Sequence, residues 1–464
     1  MTMESKTNYP STLTIDNFSS TTKLASNEVA IPVGSKESIN EKEYNPFEHR
    51  SVAHPNTTTG ALIHLLKSSL GTGLLAMPNA IKNAGLIFGF VGTLVIGVLC
   101  TYCVHILVSA SHELCRKSKT PLMSFSETCG AAFEYGPKKL QKFSKAAKIS
   151  VDVALCITYF MGNCVYIVFI TESLHSVFLI WFPDNRIELK MYMVIVMGFL
   201  FLSSQIRELK HLVPLSFLAN LSLVAAFAII LYYMFEVINP PSTVPGFASI
   251  KTLPVFFSTV IFAMEGIGVV MPIENSMKKP QQFLGCPGVL NAAMIMVTLL
   301  YASVGFFGYL RYGEETSPSI SLNLPMKEDI LAQVVNILIP IAVFLTYNLQ
   351  MFVPIDIIWR NLLSPRVNGR LAVNLVQVVT RCLFVAGTIV IAVAVPNLEP
   401  IISLVGAICF STLGILIPAV VDTVLHWEGR LGFLKWRLIK NIILAVLAIF
   451  ALVSGTADAI SNLI

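Results

Sequence analysis

Two long runs of this chain, residues 85–110 and 212–235, contain no acidic or basic residue apart from His105. Each run exceeds the roughly 20 residues that a helix needs to cross about 30 Å of hydrocarbon. The composition agrees, because 55% of the 464 residues are hydrophobic and only 13% are charged, whereas a soluble domain has about 25% charged residues. The sequence therefore predicts an all-α integral membrane protein.

The same test, repeated along the chain, predicts eleven transmembrane helices within a polytopic membrane domain at 58–464. Residues 1–57 are rich in Ser, Thr, Asn and Glu and have no apolar periodicity, so we expect a disordered cytosolic N-terminal tail. The predicted spans are 58–82, 85–110, 149–172, 191–206, 212–235, 254–276, 287–310, 330–355, 371–395, 401–424 and 437–460.

The distribution of Lys and Arg predicts the orientation of the bundle. If the N-terminus is cytosolic, the loops on that side hold nineteen of these residues and the opposite loops hold six. The positive-inside rule then places the N-terminus in the cytosol and the C-terminus on the extracellular or luminal side. The six residues on the opposite side are Lys82, Arg186, Lys190, Lys251, Arg311 and Lys327.

Two of the predicted spans are interrupted midway by glycine pairs with a nearby proline: GTGLLAMP at 71–78 and GIGVVMP at 266–272. Such residues weaken a helix at a depth where no water can satisfy loose backbone groups, so the break is tolerated only where it lines a protected polar cavity. Many secondary transporters build their substrate site in this way. The alternative is that the glycines only allow close helix packing.

The breaks fall in the first and sixth spans, which leaves five spans in each unit. An odd number forces the second unit to run inverted through the bilayer, which is the 5+5 inverted repeat of a leucine-transporter-like fold. We expect repeat one at about 58–235, repeat two at about 254–424 and one extra helix at about 437–460.

The two breaks are predicted to meet near the bilayer midplane. The half-helix after Gly71 offers free N–H groups to a carboxylate, and the carbonyls released before Glu265 suit an ammonium, so a small zwitterion fits. The candidate substrate-binding residues are Ser69, Gly71, Thr72, Gly73, Met264, Glu265, Gly266 and Gly268.

Ionisable residues within spans are candidates for proton coupling. His64 titrates near physiological pH, and Glu265 is costly at mid-membrane unless it is protonated or paired. The alternative for His64 is a neutral ring bonded to a backbone carbonyl. For Lys67 and Arg381 the sequence favours structural pairing with an acidic residue; for Asp152, Glu172 and Glu274, nearer the span ends, it favours solvated or snorkelling roles.

Six short motifs carry a resemblance to a known family: NPFEHR at 45–50, HLLK at 64–67, GTGLL at 71–75, EGIG at 265–268, PIEN at 272–275 and ISLVG at 402–406. They look like those of the proton-assisted amino acid transporter family within the amino acid/auxin permease group. The resemblance implies eleven spans, a leucine-transporter-type core and movement of glycine, alanine or proline with a proton. It also matches His64 to the histidine regarded as proton-sensing. The chain departs from the family at Ser68 and Ser69, where relatives often have Gly-Asn, and at Met264, where many have Phe.

The function expected from these features is proton-coupled symport of small neutral amino acids in the plasma membrane or a lysosomal or late endosomal membrane. The alternative is a transporter-like amino acid sensor that signals through cytosolic partner proteins. No enzyme activity, cofactor, metal site or nucleic-acid partner is expected. We expect the proton to be the coupling ion and the protein to be embedded in the lipid bilayer.

Overall fold

The computed structural model describes residues 44–461 except 53–54, 70, 185–186, 207–208, 265, 368 and 429–430. This part of the chain is built from helices, and its one isolated β-bridge joins Asn56 to Met277. The fifteen α-helices are α1 Thr58–Ser69, α2 Thr72–Ala84, α3 Leu86–Ser118, α4 Phe125–Glu134, α5 Ser144–Trp181, α6 Leu189–Ser203, α7 Leu209–Glu236, α8 Leu253–Ala263, α9 Ile267–Asn275, α10 Val289–Tyr312, α11 Ile330–Ile358, α12 Arg370–Ala394, α13 Leu398–Val405, α14 Ile417–Leu425 and α15 Trp436–Ser461.

Each predicted span corresponds to a helix or to a pair of helices. Within the described residues, nine helical stretches are long and apolar enough to cross a membrane, and the bent pair α1–α2 makes ten. The fourth predicted span, 191–206, corresponds to α6, which has only 15 residues. An eleven-helix count therefore stays a prediction.

The first predicted span is broken where the glycine pair lies. Helix α1 ends at Ser69, α2 begins at Thr72, and the two axes differ by 56°. Gly71 is the N-cap of α2 with extended backbone angles, φ −156° and ψ −160°, and no side chain caps the helix there. The bend between the two half-helices therefore lies at an extended residue that carries no backbone strain.

The sixth predicted span is interrupted as well. Helix α8 ends at Ala263, and α9 begins at Ile267 with Gly266 as its N-cap. The tenth span is irregular in another way, since α13 and α14 are joined by a π-helical segment, Gly406–Leu416.

Helix α8 forms part of the buried core and is enclosed by α2, α13, α15 and the π-helical segment. A Cβ on Gly406 would lie 2.0 Å from the carbonyl oxygen of Ser258, and one on Gly455 of α15 would lie 2.2 Å from Ser258 Oγ. These glycines let two elements, the π-helical segment and α15, approach α8 closely, so the wall that carries the second break is held tightly.

The predicted tail differs from the structure at its end. Residues 1–43 lie outside the described part, but residues 44–52 are placed, with a 3₁₀ turn at Pro46–Glu48 capped by the Asn45 side chain. Asn56 N donates to Ser276 O at 2.7 Å. Polar composition predicted disorder here because the sequence does not show which polar groups find buried partners.

Candidate functional site

A cavity of about 100 Å³ lies where the two broken helices meet. Its walls come from α1, α2, α5, α8, α9, α10, α11 and the π-helical segment, and among the lining residues none is Asp, Glu, Lys, Arg or His. The lining contains both polar and apolar groups. The lining residues are Ser68, Ser69, Gly71, Thr72, Gly73, Leu155, Thr158, Tyr159, Gly162, Tyr166, Phe262, Ala263, Gly268, Tyr301, Gln350 and Phe410.

The start of α2 forms one end of the cavity. The amides of Thr72 and Gly73 lie in the first turn and have no intrahelical carbonyl to bind, so they are available to an anionic group. A Cβ built on Gly71 would meet no atom within 4 Å, which shows that this N-cap residue faces open space.

The end of α8 lies beside the start of α2. Its last residues, Phe262 and Ala263, line the cavity, and carbonyls of a last helical turn carry partial negative charge. Gly73 is packed against this end, because a Cβ there would lie 2.7 Å from Ala263 Cα. Both glycines border the cavity, and Gly73 in addition allows the two half-helices to touch, so both explanations apply to this break.

Side chains from unbroken helices complete the cavity. The Tyr301 hydroxyl of α10 donates to the carbonyl of Ser69 at the end of α1. The Gln350 amide nitrogen of α11 donates to the Tyr166 hydroxyl of α5 at 2.7 Å. Sequence reasoning missed these residues, together with Thr158, because it searched only the broken spans; polar residues within otherwise apolar spans were the available signal.

The predicted binding residues do not all reach the cavity. Ser69, Gly71, Thr72, Gly73 and Gly268 line it. Met264 is buried beside it, with Sδ 4.0 Å from Thr298 Oγ1 of α10. Gly266 is the N-cap of α9, and Glu265 lies outside the described residues.

The candidate proton group His64 lies on α1, is partly buried, and is not among the residues that line the cavity. Within the described residues its ring makes no hydrogen bond, so a partner carbonyl is not found there. Lys67 is exposed and forms no ion pair with a described residue. Arg381 donates to the carbonyls of Ser204 and Ile206 at 2.8 and 3.4 Å.

One expectation about ionisable residues is wrong. Glu274, expected to be solvated or snorkelling, is fully buried, and its Oε1 lies 2.9 Å from Arg50 Nη1 and 2.8 Å from His112 Nε2. The error arose because both partners are remote in sequence, one of them in the predicted tail. Asp152, for which the same role was expected, accepts a hydrogen bond from the side-chain amide of Asn361, with Nδ2 and Oδ2 3.4 Å apart.

Two carboxylates hold the start of α13. Glu172 of α5 accepts from the Leu398 amide at 3.1 Å, in the position of a helix N-terminal anion. Glu399 Oε1 accepts from Asn79 and Asn83 of α2, both at 2.8 Å. The second half of the first broken span is thereby joined to the first half of the tenth.

A second ionic cluster joins α14 to α3 and α15. His426 Nε2 lies 3.3 Å from Glu113 Oε2, and its Nδ1 lies 3.1 Å from Asp422 Oδ1. Lys440 and Asn441 of α15 donate to Asp422 Oδ2 at 3.2 and 2.8 Å. The hydrogen bond with the Asp422 side chain raises the pKa of His426, against the opposing effect of burial.

Broken membrane helices that meet at a polar cavity define the architecture of a secondary transporter. The family model of transmembrane amino acid transporter proteins matches residues 54–461. This chain belongs to that family.

Two similar proteins are also named as amino acid transporters. The chain is 42% identical over 423 residues to the proton-coupled amino acid transporter-like protein pathetic of Drosophila melanogaster, covering 91% of this chain and 88% of the relative. It is 27% identical to the probable amino acid transporter skat-1 of Caenorhabditis elegans, covering 88% and 90%.

Solved structures with a similar fold include Mhp1 in its inward-facing conformation, with a TM-score of 0.53 at 12% identity over 93% of this chain and 94% of the other. Mhp1 in a closed conformation with bromovinylhydantoin bound, described as a nucleobase-cation-symport-1 family transporter, gives a TM-score of 0.50 at 12% identity over 91% and 94%. The predicted leucine-transporter-like fold is confirmed.

Proposed function

We propose that this protein is a proton-coupled symporter that moves small neutral amino acids, of the glycine, alanine and proline class, by alternating access. The observation that supports this most is the cavity of about 100 Å³ whose described lining has no charged side chain. A zwitterion needs donors at its carboxylate and acceptors at its ammonium, but it needs no net countercharge. The first amides of α2 and the last carbonyls of α8 offer that pair of environments.

The size of the cavity favours a short side chain. Its volume of about 100 Å³ is well below the roughly 300–1,000 Å³ of pockets that bind drug-sized ligands. The aromatic rings of Phe262, Phe410 and Tyr301 limit expansion, and bulky side chains cost more to insert into packed surroundings than small ones.

We assign substrate contact to the predicted residues on the cavity wall and add Thr158, Tyr166 and Gln350 as side chains that distinguish substrates. Met264, Glu265 and Gly266 remain proposed members of the break around α9. His64 and Glu265 are the proposed proton-coupling groups. The proton acts as the coupling ion and no cofactor takes part; the name of the Drosophila relative supports proton coupling.

The proposed setting is a plasma, lysosomal or late endosomal membrane with the N-terminus in the cytosol. The test is uptake of radiolabelled glycine, alanine and proline by the purified full-length protein in liposomes, with and without an inward acid gradient. We expect accumulation well beyond tenfold under one pH unit and about 100 mV, which together supply about 3.7 kcal/mol per proton. No concentrative flux of any small amino acid would overturn the proposal and leave the sensor alternative standing.

A further inference from the structure

Five lysines lie within eleven residues at the start of α5, and no acidic residue stands among them. All five are exposed. Lys148 lies 3.6 Å from Glu127 of α4, whereas the other four form no ion pair within the described residues. Like charges so close together repel one another, so an anion placed against them is stabilised. The five are Lys138, Lys139, Lys142, Lys145 and Lys148.

The backbone that carries these lysines is held against α4. A turn at 137–140 contains two of them, and its last amide donates to its first carbonyl at 2.8 Å. The Gln141 side chain donates to the Gly136 carbonyl at 3.3 Å. Ser144 Oγ donates to the carbonyl of Gly130 in α4 at 2.8 Å. The lysines are therefore presented on a fixed frame.

The apolar outer face of α5 begins one turn after the lysines. Ile149, Val153 and Ile157 are 61%, 51% and 49% exposed. They are four residues apart and so lie on one side of the helix. Because this helical stretch, Gln141–Trp181, is long and apolar enough to cross a membrane, we assign that side to the acyl chains.

The lysines lie at successive levels beyond this face. Lys145 is four residues before Ile149, which is about 6 Å along the helix axis and on the same side. Lys142 is nearly one turn further from the apolar face, and the turn at 137–140 lies beyond the first residue of the helical stretch. The change from apolar to charged residues places these ammonium groups at the level of lipid headgroups.

Phe143 supports this placement. Its ring is 46% exposed, and the Lys142 ammonium lies 5.0 Å from the ring centroid. Exposed aromatic rings are typical of the boundary between the bilayer and water. Lysine side chains near a helix end can lay their apolar stems along the same boundary and extend the charge outward.

The acidic groups around the lysines have other partners or lie apart. Glu127 accepts from the N-cap amide of α4 at 3.0 Å and faces Lys148. Asp152 accepts from Asn361, in the connection that follows α11. Glu134, at the end of α4, forms no ion pair with a described lysine. Four lysine charges are thus left without a countercharge in the described part of the chain.

We propose that Lys138, Lys139, Lys142 and Lys145 bind the headgroup of a phosphoinositide, with Phe143 beside its acyl chains. A phosphoinositide carries a diester phosphate next to the acyl chains and further phosphates on the inositol ring, so its charges lie at more than one level, as the lysines do. Phosphatidylserine has a single phosphate and an ammonium of its own. The positive-inside rule places this end of α5 at the cytosolic leaflet.

The test measures binding of a fluorescent, short-chain phosphatidylinositol bisphosphate to the purified full-length protein in detergent micelles, by anisotropy against empty micelles. We expect saturable binding by the wild type. Lys142→Gln combined with Lys145→Gln should weaken it at least tenfold, because each lysine attracts the anionic headgroup. No saturable binding, or an unchanged affinity in this double variant, would overturn the proposal.

Lys278→Gln combined with Lys279→Gln is the matched control. These two lysines are also exposed, and they follow α9 on the same predicted side of the membrane. The control should bind the lipid like the wild type. An equal loss of affinity in both double variants would show a dependence on net charge alone and contradict a site at α5.

A second pair covers the case in which the first double variant does not fold. Lys138→Gln combined with Lys139→Gln changes only the turn before the helix and should also weaken binding at least tenfold. Circular dichroism and a monodisperse elution profile check that each variant is folded. A folded variant of this pair with wild-type affinity would remove the inositol phosphates from the proposed contacts.

Competition distinguishes the sources of the anionic group. Unlabelled phosphatidylserine, and free inositol trisphosphate without acyl chains, should each need at least a tenfold higher concentration than unlabelled phosphatidylinositol bisphosphate to displace the probe. Equal displacement by phosphatidylserine would reduce the site to general attraction of anionic lipid, and equal displacement by inositol trisphosphate would assign it to a soluble anion; either result overturns the proposal. None of these measurements requires transport, so the outcome is independent of the proposed function.

Discussion

Gly71 and Gly73, two residues apart, face different surroundings, so their substitution by alanine should have different effects. A Cβ at position 73 would lie 2.7 Å from Ala263 Cα, so α2 and α8 must move apart. Gly71 faces open space in an extended conformation that alanine also adopts. We expect Gly73→Ala to weaken amino acid binding more than tenfold and Gly71→Ala to leave folding intact with a smaller loss. Calorimetric titration of both purified variants with alanine tests this, and equal affinities would contradict the assigned roles.

His64 and Glu265 can be separated by two substitutions. If His64 is the group that takes and releases the proton, His64→Ala should eliminate pH-driven accumulation. Glu265→Gln keeps size and hydrogen bonding while fixing neutrality, so it should disturb substrate affinity more than the pH response. His105→Ala, a histidine of α3 in another span, is the matched control. Acid-driven uptake and affinity are measured for each in liposomes; a normal pH profile in His64→Ala would make this histidine structural.

At the scale of elements, each broken span ends in a half-helix held by a carboxylate. Helix α2 is joined to α13 through Asn79, Asn83 and Glu399, and α9 is held through Glu274. Glu399 belongs to α13 and contacts α2, whereas Glu274 belongs to α9 itself. If the protein works by the proposed alternating access, we expect α2 and α9 to be the elements that move.

The contact between α14 and α3 should depend on pH through His426. Because its pKa is raised in the folded protein, the stabilising contribution is fully present below about pH 6.5 and is lost as the pH rises through the folded value. His426→Gln should therefore lower the unfolding temperature in acid and have little effect in alkaline solution. Thermal unfolding in detergent, followed by tryptophan fluorescence across that range, measures the difference. A difference that grows with pH would contradict the assignment.

Local patterns predicted the helices and their breaks, because the length of an apolar run and the positions of glycine and proline can be read from one segment of the sequence. The site was only half predictable. Ser69, Gly71 and Thr72 lie at a break and could be found from sequence, whereas Tyr166 and Gln350 lie in unbroken helices and reach the cavity through tertiary packing. Arg50 and Glu274 are 224 residues apart, and no local pattern joins them.

The whole molecule carries an asymmetric charge distribution, with nineteen Lys and Arg residues in loops on one predicted side and six on the other. Residues 44–52 lie on the side predicted to be cytosolic, because they precede the first span.

This topology is tested by glycosylation, which occurs only on the outer or luminal side. The predicted outer loops contain no Asn-x-Ser/Thr, and the sequons at Asn17 and Asn56 lie on the predicted cytosolic side. A sequon inserted in the 239–252 loop should therefore be glycosylated in cells, whereas Asn17 and Asn56 should remain unmodified. The loop contains an exposed turn, Pro241–Thr243, that tolerates an insertion. The readout is a mobility shift removed by glycosidase, with alanine uptake as the check of folding. An inserted site that is never glycosylated in a protein that still transports, or a glycan on Asn17, would reverse the predicted orientation.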